Sequence, residues 1–209
     1  MEPLPRPPGW RAAMIGLTSA ALLALSFLGD SWAFEHLGRA GVYTQGWGRM
    51  VWVAGYLPFW LLCGIGIYWS VTSAAGRRHA LLLLAAPTLS GAVGQVLKLL
   101  IRRERPVAAA GAYVFRSFSD RPFVSTGFGM PSGDVIVAFA ACAILARIWP
   151  RGRVVWYGLA AGCALARVMS RAHFLSDVVA AGVVGWIVAD LLWRRFAPSE
   201  APIPAREPI

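Results

Sequence analysis

RVMSRAHFLSDVVAAGVVGWIVADLLW, residues 167–193, joins two kinds of chain in one stretch. From Asp177 onward it is an apolar run broken only by Asp190. Before that run, Arg167, Ser170, Arg171, His173, Ser176 and Asp177 crowd into a short link, and the residues ahead of Arg167 are apolar again. Ionisable groups wedged between membrane-like segments are costly to place and are functional candidates by default. With the second half helical, His173 and Asp177 lie one turn apart on one face. An imidazole backed by a carboxylate is held in one tautomer and can act as nucleophile or base.

The rest of the chain has the same membrane character. Of 209 residues, 57% are hydrophobic and only 14% charged, well below the roughly 25% charged of a soluble domain. The expected fold is all-α, a polytopic bundle of six transmembrane helices. The spans are placed at about 13–29, 51–71, 80–101, 131–149, 154–169 and 177–193, with a kink at Pro87. Residues 1–12 and 194–209 are expected to be cytoplasmic tails, the second disordered, flanking one membrane domain at 13–193. The first apolar run lacks a convincing cleavage site and reads as a retained span. Cys63, Cys142 and Cys163 lie in apolar stretches and read as packing residues.

The net charge of +10 comes from nineteen arginines and one lysine, scattered at segment ends. No basic run with interleaved aromatics points to nucleic acid. Arg6, Arg11, Arg77, Arg78, Arg151, Arg153, Arg194 and Arg195 fall on one side of a six-span topology, the cytoplasmic side by the positive-inside rule. The 102–130 loop and the 167–177 link then meet on the opposite face. Trp32, Phe34, Tyr43 and Trp47 are expected in an interfacial loop over 30–49.

Two further motifs stand at segment ends. Lys98, the only lysine, precedes Arg105-Pro106 at the end of the third span. It reads either as a snorkelling anchor or as half of a cation pair that clamps phosphate oxygens. Pro131-Ser132-Gly133-Asp134 opens the fourth span, either as a plain helix cap or as an anion site of free backbone N–H groups. Taken together, the three motifs suit phosphoryl transfer to a histidine. No His/Cys or carboxylate cluster suggests a metal, and no cofactor is expected.

Lys98-x6-Arg105-Pro106, Pro131-Ser132-Gly133 and Arg167-x5-His173-x3-Asp177 resemble the three-part signature of the type 2 phosphatidic acid phosphatases. The resemblance covers residues 98–177 and implies metal-independent phosphate ester hydrolysis through a phosphohistidine. It makes His173 the nucleophile and Asp177 its orienting partner. Lys98, Arg105, Ser132, Gly133 and Arg167 become the phosphate-binding set. The arginine-for-lysine bias with abundant Ala and Gly suggests a bacterial source, so the non-cytoplasmic face read from charge and hydropathy is expected to be the periplasmic face of an inner membrane, and the expected substrate is a membrane lipid phosphate. Undecaprenyl diphosphate, phosphatidylglycerol phosphate, phosphatidic acid and lipid A phosphate are the candidates. Arg116 and Arg121 are expected to attract the anion. Arg102 and Arg103 are expected either to do the same or to anchor the chain at the interface.

The sequence departs from the family pattern at Ala166, where serine is usual, and at Asp134, where the family carries the histidine taken as general acid. An aspartate among cations favours a leaving group that departs as a stable anion, so a lipid diphosphate over a simple monoester. His36, on the same side, is a possible substitute acid. The same residues also suit a lipid phosphotransferase, or a non-catalytic protein that binds or transports lipid phosphates.

Overall fold

A computed structural model describes residues 9–198. The fold is all-α: among these residues there are seven α-helices and no strands, only two isolated bridge pairs. The helices are α1 (Trp10–His36), α2 (Gly46–Val53), α3 (Leu57–Ser70), α4 (Ala74–Ile101), α5 (Gly133–Ile148), α6 (Arg153–Met169) and α7 (Leu175–Phe196). The tails expected at 1–12 and 194–209 fall largely outside the described residues. α1 already begins at Trp10, and α7 carries the helix past Trp193 to Phe196.

Among the described residues three helices are long and apolar enough to cross a membrane: α1 from Ala12, α4 and α7. α2 and α3 meet that test only together and are bent by 61° at their junction. The expected second span is therefore broken. Pro58, which lacks an N–H, starts α3, and Gly55 sits in the link. A Cβ at Gly55 would lie 2.5 Å from the Asp134 Cβ, so the break lets bare backbone approach the start of α5. α5 and α6, of 16 and 17 residues, are about 24–26 Å long, short of the ~30 Å hydrocarbon core.

Two boundaries move for a plain reason. α1 runs to His36 because nothing between Gly29 and Gly38 breaks it, so Asp30, Trp32 and Phe34 are helical and not in a loop. α4 starts at Ala74 because the Ser73 hydroxyl accepts from the Gly76 N–H at 3.1 Å. Arg77, Arg78 and His79 are thus in its first turns. α4 then passes through Pro87 without interruption.

α5 is the axle of the bundle. It packs against α4, α6 and α7, and residues Val135–Ala146 are buried except for Phe139. A helix that is apolar on every side belongs in such an interior. Its alanines, with Gly182 and Gly185 on α7, let the helices approach closely. A Cβ at Gly185 would lie 2.5 Å from the Ile136 carbonyl oxygen. The ends of α4 and α6 and the starts of α5 and α7 therefore gather at one end of the bundle. Arg77, Arg78, Arg151, Arg153, Arg194 and Arg195 sit at the other ends of these helices.

Candidate active site

The 102–130 segment roofs the gathered helix ends, and a buried arginine holds it in shape. Arg102 is 1% exposed, with φ 57° at the end of α4. Its guanidinium donates to the carbonyls of Arg116 at 3.1 Å, Ser117 at 2.8 Å, Pro122 at 3.4 Å and Asp120. Five donors in a rigid fork suit this task. Arg116 is paired with Glu104, its Nε and Nη2 donating to Glu104 Oε1 at 3.0 and 2.8 Å, and lies 3.5 Å from Asp120. The loop cations at 102 and 116 are thus engaged within the loop, and Arg102 neither meets an anion nor anchors at an interface.

Beneath the roof lies the histidine. Asp177 caps the start of α7: the N–H of Phe174, the residue before the helix, donates to Asp177 Oδ2 at 2.9 Å. This closes the first turn of α7 and brings the carboxylate back towards His173. His173 Nδ1 stands 3.5 Å from the same Oδ2, a contact without good hydrogen-bond geometry, and both side chains are almost fully buried. Burial pushes the His173 pKa below 6.5; the Asp177 carboxylate works in the opposite direction, and Arg167 and Arg105 add to the lowering. A neutral imidazole at pH 7 follows.

The start of α5 meets this pair. The Ser132 N–H donates to the Asp177 carbonyl at 3.2 Å, and Gly129 lies against the Asp177 carboxylate. Lys98, at the end of α4, points to the same place, since a Cβ on Gly133 would lie 3.5 Å from its Nζ. Lys98, Arg105, Arg167, Asp134 and Asp177 are close enough for their charges to act on one another. Burial first, then the Arg167 charge, lowers the Arg105 pKa. The structure therefore brings Lys98, Arg105, Ser132, Gly133, Arg167, His173 and Asp177 to one end of the bundle. Buried Ser132 Oγ, Arg105 Nε, Arg167 Nε and His173 Nδ1 have no hydrogen-bond partner, a concentration that asks for a reason in a folded protein. Three cations, orphan donors and the N-terminus of α5 form a place suited to a tetrahedral oxyanion.

Asp134 joins the set through an ion pair, with its Oδ2 3.2 Å from Arg167 Nη1. The same Nη1 lies 3.4 Å from the Tyr43 hydroxyl. His36 is elsewhere: its Nδ1 lies 3.0 Å from the Trp32 carbonyl and its ring stacks on Trp32, exposed.

Sequence reasoning missed what stands behind Asp177. Arg103, 1% exposed, donates through Nη2 to Asp177 Oδ1 and, at 2.7 Å, to Ser176 Oγ. Its Nη1 lies 3.7 Å from Asp30 Oδ2. Asp30 accepts from the Ser176 N–H at 2.7 Å, from the Ser176 hydroxyl and from the Tyr113 hydroxyl at 2.7 Å. Burial, then the bond to Asp30, pushes the Tyr113 phenol up to about 12. Arg103 is thus neither a lure for the anion nor an interface anchor. Asp30 carried a readable signal as a lone acid in a long apolar stretch, hidden by placing it in a loop.

A groove of about 660 Å³ between α1, α6 and α7 has no charged residue in its lining and so is not the oxyanion site. Among the described residues no group of three His, Cys, Asp or Glu side chains is placed to hold a metal ion.

Residues 79–200 match the family model of the PAP2 superfamily. Over 184 residues the chain is 27% identical to a lipid A 1-phosphatase of Rhizobium johnstonii, covering 82% of this chain and 74% of that one. It is 28% identical to a lipid A 1-phosphatase of Rhizobium etli, covering 82% and 78%. A transmembrane PAP2 type phosphatidylglycerolphosphate phosphatase from Bacillus subtilis shares the fold, with a TM-score of 0.63 at 20% identity over 88% of this chain and 94% of that one.

Proposed function

The chain belongs to the PAP2 superfamily and is a membrane phosphatase, and from that premise we propose that it hydrolyses a lipid phosphate or diphosphate through a phosphohistidine on His173, without a metal. The observation that carries this reading is the convergence of Lys98, Arg105, Arg167 and the N-terminus of α5 on the buried His173–Asp177 pair. Asp177 faces Nδ1, which leaves Nε2 to attack phosphorus. The bond from phosphorus to the leaving oxygen breaks, and its electron pair goes with that oxygen. Water then attacks phosphorus, the N–P bond breaks, and inorganic phosphate and neutral imidazole are released. Charge on the phosphoryl oxygens is met by the three cations and the free N–H groups of the first turn of α5. Asp177 holds the imidazole and stabilises the charge it acquires.

The finer reading concerns the leaving group. The Asp134 carboxylate is engaged by Arg167, and no histidine stands at this position to protonate a leaving oxygen. The substrates favoured are those whose leaving oxygen departs as a stable anion: the phosphate ester of a diphosphate, or the anomeric oxygen of a sugar phosphate such as lipid A 1-phosphate. The relatives named for the latter support it. Polytopic placement with the site on the periplasmic face and the termini inside is supported by the arginines at the opposite end of the bundle.

The test is phosphate release in detergent from a panel of lipid mono- and diphosphates, with chelator present and His173→Ala as control. Release that survives chelator and disappears in the variant is expected. A phosphorylated acceptor in place of free phosphate would make the chain a lipid phosphotransferase. Binding without turnover of any lipid phosphate would make it a non-catalytic binder.

A further inference from the structure

The reaction above uses Asp177 but leaves unexplained the buried arginine behind it. A guanidinium with 1% exposure is expensive to bury, and structures keep such a group when its charge is matched and its donors are used. Arg103 has both. Asp177 and Asp30 lie against its two terminal nitrogens. The rings of Phe27, Tyr113 and Phe174 surround it, with centroids 5.4, 5.1 and 4.9 Å from its Cζ. A planar cation stacked in this way has one orientation. The carboxylate it holds has one orientation too, since Oδ1 is given to Arg103 and Oδ2 to the Phe174 N–H.

The consequence falls on His173. A buried carboxylate with no other partner would draw a proton onto the imidazole beside it and remove the lone pair that attacks phosphorus. Here Asp177 shares its charge with Arg103, and His173 Nδ1 is left at 3.5 Å. We propose that Arg103 is a positioning residue for the phosphatase reaction, orienting Asp177 and taking up its charge so that His173 stays neutral and nucleophilic. The proposal rests on His173 being the nucleophile. The charges around the imidazole are Asp177 on α7, Arg167 at the end of α6 and Arg105 in the roof. Lys98 on α4 and Asp134 on α5 complete the site, and Asp30 on α1 lies behind Arg103.

The test reads the imidazole directly. Nuclear magnetic resonance of the full chain in detergent, with labelled histidine, follows the titration of His173, with His36 and His79 as internal references and His173→Gln for assignment. Arg103→Gln is expected to raise the His173 pKa by about one unit. Arg103→Lys is expected to leave it near the wild-type value. Asp30→Asn, which removes the competing carboxylate, is expected to move it the other way. In an Asp177→Asn background the Arg103→Gln shift is expected to vanish, because the effect runs through the carboxylate. If Arg103→Gln does not fold, the sign of the Asp30→Asn shift and the Arg103→Lys titration decide. An unchanged titration, shifts of one sign in Arg103→Gln and Asp30→Asn, or a shift that persists with Asp177→Asn would overturn the proposal. None of these readings needs turnover, so a chain that released no phosphate would count against the proposed reaction and leave this result to be judged separately.

Discussion

Asp134→Asn should make the site bind phosphate more tightly. In the structure the Asp134 carboxylate lies 3.2 Å from Arg167, a guanidinium the incoming phosphoryl group also needs. At that distance a unit charge pair is worth about 5 kcal/mol at an effective dielectric of 20 and about 1 kcal/mol in water. The Asp134 side chain is 33% exposed and that of Arg167 12%, so the lower part of this range applies. Taking ~1.4 kcal/mol, the carboxylate weakens oxyanion binding about tenfold by occupying Arg167 and repelling the ligand. The amide is nearly isosteric and keeps a hydrogen-bonding oxygen, so the fold is preserved. The assay is competitive inhibition of lipid phosphate hydrolysis by inorganic phosphate and orthovanadate at fixed detergent and ionic strength. Inhibition constants about tenfold lower are expected. Constants that stay the same or rise would refute the idea that Asp134 and the phosphoryl group compete for Arg167.

Other consequences follow from the same geometry. Asp30→Ala strips the buried Arg103 and Ser176, and the Tyr113 hydroxyl, of a shared partner, and loss of one side of such a buried pair costs about 3–5 kcal/mol; a large fall in Tm in detergent is expected, with activity reduced although Asp30 does not touch the phosphate site. His173 has a folded pKa below its ordinary 6.5, so between the two values the unfolded chain binds more protons and stability rises with pH; its contribution is complete above about 6.5 and lost as pH falls through the lowered value. Tm against pH should show this slope in the wild type and lose it in His173→Gln. Gly185→Ala places a Cβ 2.5 Å from the Ile136 carbonyl and should cost about 1–3 kcal/mol of stability, whereas Gly158→Ala, open on all sides, should be neutral or stabilising.

The helical class and the meeting of the three motifs were legible because apolar runs and helix ends follow local rules. Lys98, Ser132, Arg167 and His173 each stand where an apolar run begins or stops, and an antiparallel bundle brings such ends together. What stayed hidden was tertiary. Nothing local distinguishes Arg102 and Arg103, which are buried in a roof and behind a carboxylate, from Arg77 and Arg78 on an exposed first turn. Asp30 read as the start of a loop because a charge is a poor guide to a helix end when its partners lie 83 and 146 residues away in the chain. The break between α2 and α3 had its markers in Gly55 and Pro58, but a run of apolar residues across them masked the bend. Asp134 was recognised as an unusual residue, while its pairing with Arg167 required the fold.

The central claim is a covalent phosphoryl group on His173, and trapping it is the most direct test. The purified chain would be mixed with a lipid phosphate carrying a radiolabelled phosphoryl group and quenched within one turnover. The account predicts label on the protein that is stable to alkali, labile to acid and absent from His173→Ala. Phosphate release with no labelled protein at any quench time, or label that persists in His173→Ala, would contradict it.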